Sequence, residues 1–141
     1  MTAVTARARR LDAELDRLAQ AQRLLARARG ARAEAPRDAF ALSHLAALRG
    51  AGILVRRAAA TRRRRLPLNV WQALHRVGGE DAAWAQQMEP LVREGERLER
   101  SERHHPDPRL LAQHLELTAA ALARIEQELL GAEGASLPLA G

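Results

Sequence analysis

The chain has 141 residues, the size of one domain, and a chain of that length buries roughly 70% of its unfolded surface without needing a staple. It contains no cysteine, which excludes disulfide frameworks, thiolate metal sites and cysteine nucleophiles. All 23 basic residues are arginine, 16 of them against 5 acids in residues 1–75 (net +11) and 7 against 12 in residues 76–141 (net −5), so the two halves are expected to neutralise one another in part when they pack.

The first helix is predicted over Thr5–Ala33, with Leu11, Leu15, Leu18 and Leu25 on one stripe and Gly30 weakening its end. Pro36 opens the second helix at a position where its missing N–H costs nothing, and Asp38 favours the same start by charge. From Ala39 to Val55 this helix is apolar on almost every side: Leu45, Leu48, Gly52 and Val55 form one seam, and Phe40, Ala47, Ala51 and Leu54 another. A helix of that kind is the central one. His44, Arg49 and two glycines interrupt it, so no stretch reaches the ~20 apolar residues of a membrane span. Near the N-terminus, Arg7, Arg9 and Arg10 run into charged amphipathic sequence rather than an apolar leader. With the lack of cysteine, this leads to the expectation of a cytoplasmic protein without a membrane partner.

Thr61–Leu68 reads as a connector containing Arg62, Arg63, Arg64 and Arg65. Asn69 is placed to cap a short helix, Val70–Val77, which Gly78 and Gly79 end. Glu80 and Asp81 then begin a helix with Trp84, Met88, Leu91, Gly95 and Leu98 on one face. Pro90 predicts a kink or break near residues 86–90. Beyond it Glu94, Glu96, Glu99 and Glu102 alternate with Arg93, Arg97, Arg100 and Arg103, the pattern of a solvated, salt-bridged face. His104-His105-Pro106 is a loop. Asp107 and Pro108 are a paired helix start, and Leu111, Leu115, Thr118, Leu122, Ile125 and Leu129 make one stripe to about Leu130. Gly131 is the expected stop, with 132–141 a loose tail. No strand pattern, repeat or phosphate-binding glycine loop occurs. The fold class is therefore all-α, an antiparallel four-to-five-helix bundle filling residues 1–131 as a single domain.

Several segments resemble the HEPN superfamily, in particular its small single-domain actinobacterial branch. They are Ser43-His44-Leu45 with Ala46-Ala47-Leu48-Arg49, the arginine-rich connector 62–65, Asn69-Val70-Trp71-Gln72-Ala73-Leu74, Ala82-Ala83-Trp84-Ala85 and the closing leucine-rich helix. The likeness spans about residues 17–130. It implies a helical bundle, commonly a homodimer, with RNA or an RNA-handling protein as partner, and the apolar stripe of the last helix offers a face for dimerisation. Ribonucleases of the superfamily carry an arginine followed after four to six residues by a histidine. The arginine polarises a phosphate and the histidine moves protons, so that a 2′-hydroxyl attacks its own phosphodiester.

Four such spacings occur here: Arg37/His44, Arg97/His104, Arg100/His105 and Arg109/His114. About two are expected by chance in so arginine-rich a chain, so none is singled out as catalytic. The candidates are Arg100 with His105 and Arg109 with His114. Arg62, Arg63, Arg64 and Arg65 are the candidate nucleic-acid-binding residues, although a solvated connector in an arginine-biased chain looks the same. His104, His105, Asp107 and His114 could be considered as metal ligands, but neighbouring loop histidines are usually just exposed, and no metal or cofactor is expected. His44 reads as a hydrogen-bonded core or interface residue, and Trp71 and Trp84 as core anchors. The leading expectation is a non-catalytic binding or interaction module. The alternative is a metal-independent endoribonuclease with an Arg/His pair at a dimer interface, and a third reading is a DNA-associated protein using Arg62–Arg65.

Overall fold

In a computed structural model, which describes residues 2–136, the chain forms five helices: α1 (Ala3–Ala31), α2 (Pro36–Ala59), α3 (Val70–Val77), α4 (Gly79–Glu99) and α5 (Pro108–Ser136). Their order and spacing follow the amphipathic pattern of the sequence, and no strand occurs among the described residues.

Neighbouring long helices run antiparallel. Glu14 and Gln20 of α1 meet Arg57 and Arg49 of α2, Phe40 and Gly50 of α2 face Gly95 and Trp84 of α4, and Asp81 of α4 pairs with Arg124 of α5. α2 and α5 form a parallel diagonal, with Ser43 against His114 and Gly50 against Leu122 and Ile125. α2 touches all four other helices, whereas α1 and α4 do not meet. α2 is thus the central helix that its composition indicates. Its length and composition alone would let it cross a membrane, more than the sequence reading allowed. Here it is the core helix of a bundle. Its Phe40 seam is buried, while the other seam stays partly open, with Leu45 42% exposed.

Gly50 of α2 packs against the side chains of Leu122 and Ile125 on α5. A Cβ there would lie 2.8 Å from Leu122 Cδ2 and 3.2 Å from Ile125 Cδ1, so a methyl would force these side-chain ends to move. The core around it holds Leu18 and Leu25 of α1, Met88 and Leu91 of α4, and the full stripe of α5 from Leu111 to Leu129. Trp71 and Trp84 anchor it as expected, edge to face with ring centroids 5.2 Å apart. The α5 stripe from Leu111 to Leu129 is buried within the bundle and so is not itself an exposed face.

Local signals fix most boundaries. Asn69 Oδ1 accepts from the N–H groups of Trp71 and Gln72 at 3.0 and 3.1 Å and so starts α3. Asn69→Ala is expected to cost about 1 kcal/mol, read as a lower urea midpoint with unchanged slope. Gly78 and Gly79 both sit at positive φ (84° and 60°), which turns the chain between α3 and α4.

Two expected helix breaks do not occur. α4 continues through Pro90. The proline frees only the carbonyl of exposed Gln86, which water can serve, while buried Met88 and Leu91 hold both sides of it. α5 continues through Gly131 to Ser136. Gly131 does not take the left-handed conformation that a glycine stop requires, and within a helix it costs only about 1 kcal/mol. The expected tail thus begins later than residue 132, and its residues 137–141 lie outside the described residues.

The expected neutralisation between halves is not built from arginine–carboxylate contacts. Among the described residues, Arg57 pairs with Glu14, Arg97 with Glu94, and Arg124 with Glu80, Asp81 and Glu128, each within its own half.

Candidate functional site

Among the described residues, Ser43, His114 and Thr118 are fully buried polar side chains, and they meet where α2 packs on α5. Ser43 and His44 are consecutive on α2, and His114 and Thr118 are one turn apart on α5. His114 Nδ1 lies 2.6 Å from Ser43 Oγ and 3.0 Å from Thr118 Oγ1, and its Nε2 lies 3.1 Å from His44 Nδ1. Phe40 packs edge-on against His114 at 4.9 Å.

Only one proton can occupy the bond between the two imidazoles, so their tautomers are coupled. Burial pushes His114 down to about 4, and His44 adds to the effect. His44, half-buried beside Trp71, is also lowered by burial, partly offset by the charge of Glu99. Near neutral pH the cluster is an uncharged, hydrogen-bonded plug with its donors and acceptors matched.

A second polar assembly closes the corner between α4 and α5. Arg37, in the first turn of α2, donates to the carbonyls of Leu98, Ser101 and His104. Glu94 is only 5% exposed, which corrects its reading as part of a solvated face. Its carboxylate accepts from Arg97 and from the N–H of Asp107 at 2.7 Å. Arg97 holds its carboxyl below the usual range against the opposing effect of burial, and the Asp107 N–H helps. His104 Nδ1 approaches the Arg97 carbonyl at 2.8 Å, and Asp107 caps α5 through the N–H of Arg109 at 2.8 Å.

These contacts place the four Arg/His spacings. Arg37 is occupied by carbonyls, and His44 by His114. Arg97 is held by Glu94, and His104 by the Arg97 carbonyl. Arg109 is exposed while His114, five residues on, is fully buried, so the structure does not bring these two together. Arg100 and His105 are both exposed near the end of α4. No three potential metal ligands cluster among the described residues.

The opposite end of the bundle is rich in arginine. Arg62, Arg63, Arg64 and Arg65, with Leu66 and Arg76 of α3, line an open depression of 570 Å³ that has no carboxylate in its wall. Arg62 donates to the Val77 carbonyl at 3.2 Å and ties the connector to α3. Because Glu14 lies opposite Arg57, the preceding turn of α1 brings exposed Arg7, Arg9 and Arg10 toward this end. All three aromatic side chains are buried, Phe40 at 2%, Trp71 at 8% and Trp84 at 4% exposure, and the chain has no tyrosine. The surface therefore offers charge to phosphates but no aromatic platform to bases.

Arg76 was missed in the sequence because the helix that brings it back to the connector is only two turns long. The role of Glu94 was signalled by its spacing, three residues after Leu91 and four before Leu98. The partnership of Ser43 and His44 with His114 had no local signal, since about 70 residues separate them.

A family model described as SAV_6107-like HEPN matches residues 28–126, more than half of the chain. None of the curated proteins and none of the solved structures compared with the chain matches it.

Proposed function

The chain belongs to the HEPN superfamily, and from that premise we propose that it is a non-catalytic module that holds RNA by its phosphate backbone at the arginine-rich end of the bundle. One observation carries the proposal: five arginines, Arg62–Arg65 and Arg76, surround a depression without a carboxylate. Guanidinium groups match phosphate geometry and stay charged at all ordinary pH values. The lack of exposed aromatics favours reading of backbone charge over base identity. Homodimerisation belongs to the same proposal. With the α5 stripe spent in the core, the open seam of α2 around Leu45 is the surface for it.

The rival, a metal-independent endoribonuclease, rests on Arg100 and His105, the motif-spaced pair with both side chains exposed. Incubation of the purified protein with end-labelled RNA and no metal distinguishes them. The proposal expects retarded but intact RNA, with binding weakened at least about tenfold when Arg62–Arg65 are all changed to glutamine. Cleavage that His105→Ala abolishes would establish the rival instead.

A further inference from the structure

The central helix α2 keeps one face that the protomer leaves open. Ala41, Leu45, Leu48, Gly52, Val55 and Ala59 recur there at spacings of four and three in alternation, the seam pattern of a two-stranded helix pair. All six are exposed or half-buried, and Leu45 is among the most exposed large apolar side chains of the chain. A Cβ on Gly52 would meet nothing within 4 Å, so no contact inside the protomer calls for a glycine there. A glycine in mid-helix weakens the helix. A second helix laid against the seam supplies the reason for it, because a hydrogen at that position lets two backbones approach.

Charge identifies the second helix. Asp38 and Arg56 are 18 residues apart, which is five helical turns, so they leave α2 in the same direction at the two ends of the seam. Both are exposed, and neither takes part in the ion pairs among the described residues. An acid at one end and a base at the other make the face self-complementary about a two-fold axis, which is what a symmetric contact between identical chains requires. Two α2 helices laid antiparallel set Asp38 of each copy against Arg56 of the other and oppose their dipoles favourably. Laid parallel, they would set like charge against like. Arg49, the other charged residue on this side, is turned toward α1, where it donates to Gln20 at 3.3 Å.

We infer that two copies of this chain pair through antiparallel α2 helices, centred between Leu45 and Leu48, with Asp38 of each copy against Arg56 of the other. This pairing rests on the homodimer reading above and gives it a surface, an orientation and a charge contact. Because the arginine-lined depression lies beyond the C-terminal end of α2, the dimer carries its two depressions at opposite ends.

Sedimentation equilibrium of the intact protein at low ionic strength tests the pairing. The wild-type chain should dimerise. Asp38→Arg and Arg56→Asp should each weaken the dimer at least about tenfold, since each replaces two ion pairs by two like-charge contacts. An equimolar mixture of the two variants should recover the wild-type affinity to within about threefold, because every contact in the mixed dimer again joins opposite charges. A variant that had merely misfolded would not be rescued in this way. Orientation is read separately by crosslinking, since the chain has no cysteine of its own. Leu45→Cys, close to the two-fold axis, should be linked by a short bismaleimide, whereas Ala59→Cys, roughly 40 Å from its counterpart, should not. Single reversals without effect, a mixture that fails to dimerise, or linkage at Ala59→Cys as readily as at Leu45→Cys would overturn the antiparallel pairing and leave the homodimer reading standing. A wild-type chain that stays monomeric at all concentrations would overturn both.

Discussion

Replacing Arg37 by alanine is expected to destabilise the protein by about 3 kcal/mol and to lower its melting temperature by roughly 10 °C. The guanidinium donates to three backbone carbonyls, those of Leu98, Ser101 and His104, which lie at the end of α4 and in the loop to α5. Such carbonyls have no partner within a helix, and one planar fork serves all three. Each charge-assisted bond is worth about 1.5–3 kcal/mol alone, but the three share a single cation and part of their exposure, so they do not add. Lysine keeps the charge and loses the fork, so Arg37→Lys should recover less than half of the loss. Urea unfolding of the three proteins decides this. A loss under about 1 kcal/mol for the alanine variant would mean that the corner between α4 and α5 is held by other contacts.

Acidification from pH 7.5 to 5.0 is expected to remove about 2 kcal/mol of stability through His114 alone. Its ordinary value is 6.5 and its folded value about 4. Between those values the unfolded chain binds the proton and the folded chain does not, so stability falls as pH falls from about 6.5 to 4 and is fully present above 6.5. His44, lowered in the same direction, adds to the loss as pH falls below 6.5. Glu94 acts with the usual sign for a depressed carboxyl. Its contribution is present above the ordinary carboxyl range and is lost only as pH drops through its lower folded value. His114→Gln keeps a donor and an acceptor but does not titrate, so its stability should change much less between pH 7.5 and 5.0. Equal pH dependence in both proteins would show that His114 is not the titrating group.

What the sequence made legible was local. Stripes such as Leu111 to Leu129 need only a 3.6-residue period to be read, and caps such as Asn69 and Asp107 act within three residues. The stop signals failed because they are conditional. A glycine ends a helix only when it adopts positive φ, as Gly78 does and Gly131 does not. A proline need not break one where packing favours the helix on both sides of it, and Met88 and Leu91 are buried on either side of Pro90.

The candidate site was legible in part. The connector arginines stood out as a run, but Arg76 joins them only through the fold. Motif spacing alone pointed equally to four Arg/His pairs. Three of them turn out to be divided between core hydrogen bonds, backbone carbonyls and opposite helix faces. A histidine five residues after an arginine on a helix lies some 140° around the axis, so that spacing does not juxtapose the two side chains within one protomer.

The claim that the arginine end grips phosphates is tested most directly by the salt dependence of binding to a fluorescent single-stranded oligouridylate, whose bases stack weakly. Each phosphate contact contributes about 0.7 to the slope of log affinity against log salt, so changing Arg62–Arg65 to glutamine should reduce that slope by nearly three units. A wild-type affinity that is flat in salt, or a slope that survives the fourfold substitution, would contradict the account.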